Sequence, residues 1–190
     1  GRPTTADRLL PLATFAMVHM VTVYPLSWVF LYTQDSVARF LVIQLIAAAI
    51  GVASVVASGV LADRFGRRKL LGATSAGIGI FAVAALPLLN GGAMGETAYL
   101  VIGFILLGLA FGQASGVIAS NFAQRNRYTA SAITSDLAWL FGAGFAPLAA
   151  LWLSAEFGLW AGGVYLLSGT VVTLMVLRWN RSLAARNSAN

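Results

Sequence analysis

Apolar residues run along this chain in long unbroken blocks rather than alternating with polar ones. A helix needs about 20 apolar residues to cross roughly 30 Å of hydrocarbon, and six blocks are of that order. They run from Leu9 to Tyr32, Ala38 to Leu61, Lys69 to Leu89, Ala98 to Ser120, Thr129 to Leu153, and Gly158 to Trp179. Each predicts a transmembrane helix, and the short connections predict that consecutive helices are antiparallel neighbours. The strands of an outer-membrane barrel would alternate apolar and polar positions, which these blocks do not.

Composition agrees with an all-α membrane protein: 59% of the 190 residues are hydrophobic and 9% are charged. The 20 glycines suit helices that approach closely in lipid. The absence of cysteine excludes a disulfide framework and a thiolate metal site. A net charge of +6 would fit nucleic acid only if the cations shared one solvated patch, and here they sit at the ends of apolar blocks. The sequence contains no H-E-x-x-H, no G-x-S-x-G with a partner histidine, no phosphate-cradling G-x-x-x-x-G-K-[ST] and no metal-spaced cluster. Neither an enzyme, a metal nor a cofactor is expected.

Charge then orients the spans. If they alternate direction, Arg2, Arg8, Arg64, Arg67, Arg68, Lys69, Arg125, Arg127, Arg178, Arg181 and Arg186 fall on one side of the membrane. Of the 12 lysines and arginines, only Arg39 falls on the other. Because cationic loops stay in the cytoplasm, both termini and the basic loop are expected there, with Asp35, Glu96 and Glu156 outside. The chain begins with Gly1 and no cleavable signal pattern precedes the first block, so Gly1 reads as a cut end.

The basic loop, GVLADRFGRRKLL from Gly59 to Leu71, carries more than orientation. Attraction to anionic headgroups explains its arginines, but not the fixed places of its glycines and aspartate. Gly59 and Asp63 are four apart and share a helix face, the glycine permitting close approach. Gly66 can supply a φ > 0 turn. Gly59, Leu61, Ala62, Asp63, Arg64, Gly66, Arg67, Arg68 and Lys69 resemble the signature loop of the major facilitator superfamily, G-x-L-a-D-r-x-G-r-r-k. In that family the loop follows the second helix of a six-helix half, as it does here, and latches the two halves together on the cytoplasmic side.

A second stretch, RYTASAITSDLAWLFGAGFAP from Arg127 to Pro147, resembles the fifth helix of the C-terminal half in the metabolite:proton symporters, which include shikimate, α-ketoglutarate and proline/betaine carriers. Arg127, Tyr128, Thr129, Leu137, Ala138, Gly142, Gly144, Ala146 and Pro147 match that pattern without a gap; Ser135 and Asp136 replace its Tyr-Gln pair. The resemblance implies half of a major facilitator fold: six transmembrane helices at residues 9–179 in two inverted three-helix repeats, the remnant of a central cytoplasmic linker at residues 1–8, and a cytoplasmic tail at 180–190. It also implies an N-terminal six-helix half, or a second copy of this chain, as partner. A small organic solute, an acid or a zwitterion, would move with protons by alternating access in a bacterial cytoplasmic membrane.

Within that frame Asp136 is the acid placed well inside a span, about seven residues or roughly 10 Å from its cytoplasmic end by the helical rise. Ionised in lipid it would cost several kcal/mol, so it is expected to face a wet cavity, to titrate or touch solute, or to make a structural polar contact near the interface. His19 lies at comparable depth on the first helix, which neighbours the fifth in this fold, and reads either as a proton-exchanging partner of Asp136 or as a packing residue. Arg39 either snorkels to headgroups or anchors a carboxylate solute. Tyr24, Gln44 and Gln113 lie on helices that line the cavity in this superfamily, although tyrosine is also an interface residue and glutamine a helix bridge. Gly108, Gly112 and Gly116 form a GxxxGxxxG ridge for helix contact, and Pro25 and Pro147 are candidate hinges.

Overall fold

A computed structural model describes residues 12–32, 36–120, 152–153, 155–158 and 160–179. Its main elements are α1 (Leu12–Thr22), α2 (Tyr24–Tyr32), α3 (Val37–Phe65), α4 (Arg67–Leu89), α5 (Gly92–Ser120) and α6 (Trp160–Trp179). No strand occurs among the described residues. Among the described residues, three helices are long and apolar enough to cross a membrane: α3, α4, and α5 from Gly92 to Gln113.

The ends of these helices follow local chemistry. Ser36 caps α3, its hydroxyl accepting from the Arg39 N–H at 3.5 Å. Gly66, at φ 88°, ends α3 with its N–H on the Ala62 carbonyl and starts α4 at once, so the chain reverses over a single residue. The first apolar block is not one helix but two, broken at Val23 just ahead of Pro25. The fourth starts at Gly92, six residues before the expected Ala98, which moves Glu96 from an outer loop into the helix. The expected fifth span lies outside the described residues, apart from its last two positions.

Small residues set the packing. Along α3 and α5, residue numbers rise together: Gly51 meets Phe104, Ser54 meets Gly108, and Ser58 meets Gly112. These two helices therefore run parallel. On α4 and α5 the order is reversed, with Gly77 against Leu106 and Phe81 against Gly103. The α4–α6 contact is also antiparallel, with Ala82 at Gly163 and Gly79 at Thr170. α1 packs against both α5 and α6.

Polarity is arranged for lipid rather than water. Leu45, Val52, Val56, Val60, Ile80 and Val83 are exposed, while Ser58, Thr74, Ser75, Glu96, Gln113, Thr170 and Thr173 are buried. Exposed apolar side chains along three membrane-length helices would be a heavy liability in water and cost nothing among acyl chains. The chain is an integral membrane protein.

Candidate solute and proton pathway

The helix break between α1 and α2 lies within the buried core, between Val21 and Tyr24. Proline has no N–H, so Pro25 cannot donate to the carbonyl of Val21, four residues back. Gln44 on α3 approaches that region: its side-chain amide donates to Thr22 O at 2.8 Å and to Val21 O at 3.4 Å. From α5, the Tyr99 hydroxyl donates to the carbonyl of Met20. Three successive carbonyls of the first helix thus receive side-chain donors from two neighbouring helices, which is how a proline break is tolerated away from water.

Around this bracket stand the other candidates from the first helix. Tyr24 is buried in the core cluster. His19 is half-buried and both ring nitrogens are screened from solvent. The Tyr99 ring lies 4.8 Å from that of Phe81, wedging α4 against the same site. Gln44 therefore spends its donors on backbone rather than pointing one at an open cavity.

Gln113 has a similar role one helical layer away. Fully enclosed, it donates to Ser58 O at 2.9 Å and to Ser58 Oγ at 3.3 Å, tying α5 to α3. It sits next to the glycine ridge, where a Cβ on Gly108 would lie 2.8 Å from Ser54 Cβ and one on Gly112 would collide with Ser58 Oγ. Gly116 continues the ridge within α5. Arg39 is exposed in the first turn of α3, and the described residues bring no carboxylate to it.

The basic loop is organised by Gly66. Asp63, Arg64, Arg67 and Lys69 are exposed, with the Arg64 guanidinium 5.6 Å from the centre of the Phe65 ring. Arg68 differs. Half-buried, it donates to the carbonyl of Leu177 in the last turn of α6, where helix carbonyls lack intrahelical donors and the dipole favours a cation. For Gly59 the expected close approach is corrected: among the described residues a Cβ there would meet nothing within 4 Å. Asp136, Pro147 and the whole stretch at 127–147 lie outside the described residues, so the expected meeting of His19 with Asp136 does too.

Glu96, expected in an outer loop, and Tyr99, not among the expected site residues, both belong to the buried face of α5. Glu96 is buried at 3% exposure, and Tyr99 and Leu100 are fully buried on the same face. The signal was present in the i, i+3, i+4 spacing of Glu96, Tyr99, Leu100, Gly103 and Phe104.

Comparison with known proteins places this geometry in context. The chain is 32% identical over 182 residues, 93% of its length, to the inner membrane metabolite transport protein YhjE of Escherichia coli. The chain is a homologue of bacterial metabolite transport proteins. Two Haemophilus influenzae proteins named as metabolite transport proteins match 70% of it, at 36% and 33% identity. With these relatives, the resemblance to metabolite transporters of the major facilitator superfamily holds. The chain spans 41% of the length of the Escherichia coli protein and 30% of each Haemophilus protein. The relatives are named for transport, not for catalysis of a reaction. No family profile matches the chain, and no solved structure does.

Proposed function

We propose that this chain is the C-terminal six-helix half of a proton-coupled secondary transporter that moves a small organic acid or zwitterion by alternating access. The observation that carries the reading is the loop at 59–69: a one-residue reversal at Gly66 joins two membrane-length helices, and its Arg68 fastens the end of α6. A loop serving only to orient the chain needs cations, but not a half-buried guanidinium on a helix terminus. In support, the Escherichia coli relative extends well beyond the region it shares with this chain, leaving room for a second six-helix unit.

In this reading the chain has six spans in two inverted repeats, both termini are cytoplasmic, and an N-terminal half closes the solute cavity from the opposite side. Asp136 on the fifth span carries a proton or touches the solute. The polar bracket at Met20, Val21 and Thr22 holds the first span bent toward the cavity.

The test is uptake of a panel of small organic acids and zwitterionic amines into lipid vesicles holding the full protein, with an inward proton gradient. The expected result is gradient-driven accumulation of at least one panel member, with its rate or pH profile altered by Asp136→Asn. A membrane scaffold whose polar groups only join helices would accumulate none.

A further inference from the structure

The three acidic residues whose side chains are described, Asp63, Glu96 and Glu156, differ sharply in surroundings. Asp63 and Glu156 are exposed; Glu96 is 3% exposed. It lies in the second turn of α5, on the core-facing stripe that continues through Tyr99, Leu100, Gly103 and Phe104. Removing a carboxylate from water is expensive unless it is compensated, and the transport reading above gives Glu96 no task.

The described neighbours bring the following groups to the level of Glu96. The parallel register of α3 on α5, Gly51 at Phe104, carries Phe40, Ile43 and Gln44 to the level of Glu96. Arg39, one residue beyond Phe40, is the charged group at that end of α3, and its side chain is exposed. From α4, Leu88 lies against Gly95, and Ala85 and Leu89 are buried on the same face, so that helix brings apolar groups. From the first span come the titratable groups Tyr24 and His19, on either side of the Met20 carbonyl that Tyr99 holds. Glu96 thus lies one helical turn before Tyr99 on α5, and the Tyr99 hydroxyl reaches the break between α1 and α2.

We infer that Glu96 is a proton-carrying carboxyl of the transport cycle, reached from the outer side of the membrane when the break between α1 and α2 opens. This rests on the transporter reading. The chemistry is two successive proton transfers: a hydronium of outer water loses an O–H bond as a carboxylate oxygen gains one, and that carboxyl O–H later breaks as a water on the other side accepts the proton. Tyr99 and Gln44, whose bonds fix the break, are positioning residues, because they set when water reaches Glu96.

The deciding experiment compares two modes of transport by the full protein in vesicles, using whichever panel solute the wild type takes up. Glu96→Gln is expected to lose accumulation driven by a proton gradient while keeping exchange of internal for external solute at equal pH. Glu96→Asp, which retains a carboxyl, is expected to restore gradient-driven accumulation. Accumulation by Glu96→Gln with the wild-type pH profile would overturn the proposal, as would equal loss of exchange and accumulation in both variants. If the wild type takes up no panel solute, the transporter reading fails by itself and infrared difference spectroscopy judges Glu96. A protonated-carboxyl stretch with slow deuterium exchange, abolished by Glu96→Gln and shifted by Glu96→Asp, supports a proton site; the same spectrum in all three proteins refutes it.

Discussion

At the scale of single residues, glycines of identical appearance in the sequence have unlike surroundings. Gly112 is pressed against Ser58 and Val55 of α3, whereas Gly59 has open space where a side chain would grow. Adding one methyl at Gly112 forces overpacking at a helix contact that also holds the Gln113–Ser58 bond. Gly112→Ala is therefore expected to destabilise the protein by about 1–3 kcal/mol. Gly59→Ala should stay within about 0.5 kcal/mol of wild type, as is usual where nothing is touched. Unfolding midpoints in detergent check both. If Gly59→Ala nevertheless impairs uptake, its glycine serves contact with another unit rather than this bundle, which is what a latch between halves requires.

Between residues and the molecule stand the helices, and much of their layout was legible from hydrophobic block length. The expected spans at Ala38–Leu61, Lys69–Leu89 and Gly158–Trp179 correspond to helices that differ from them by a few residues at either end. Gly66 was legible for a sharper reason: a chain that leaves one long helix and begins another needs a residue tolerant of positive φ. Gly66→Ala would impose that backbone on a residue with a Cβ, at a cost of about 1–3 kcal/mol. It should speed amide exchange in the last turn of α3 and the first turn of α4, and leave the middle of α5 unchanged.

What block length could not reveal is where polar groups go inside a block. Gln44 read either as a cavity residue or as a bridge between helices, and its amide does bridge α3 to the carbonyls beside the break at Pro25. Glu96 read as a loop marker because carboxylates usually end spans, and only the earlier start of α5 brings it inside. Both depend on contacts between helices distant in sequence. Hydropathy along one helix contains no record of its neighbours.

Among the described residues of the whole molecule, large apolar side chains are exposed, polar ones such as Glu96 and Gln113 are buried beside an apolar core, and Arg64, Arg67, Arg68 and Lys69 flank Gly66. That arrangement suits a bundle in lipid with polar groups inside, and a transporter adds one requirement: water must reach the interior from at least one side. Because this chain contains no cysteine, a single cysteine placed in it is its one reactive thiol, any cysteine beyond it being replaced by serine beforehand. The measurement that bears most directly on the account is reaction of a membrane-impermeant maleimide with the full protein carrying Asp136→Cys, set against Val83→Cys at an exposed apolar position of α4. The account predicts labelling at 136, slowed by a transported solute, and none at 83. An unreactive cysteine at 136, matching the one at 83, would contradict a wet pathway through this chain and with it the transport function.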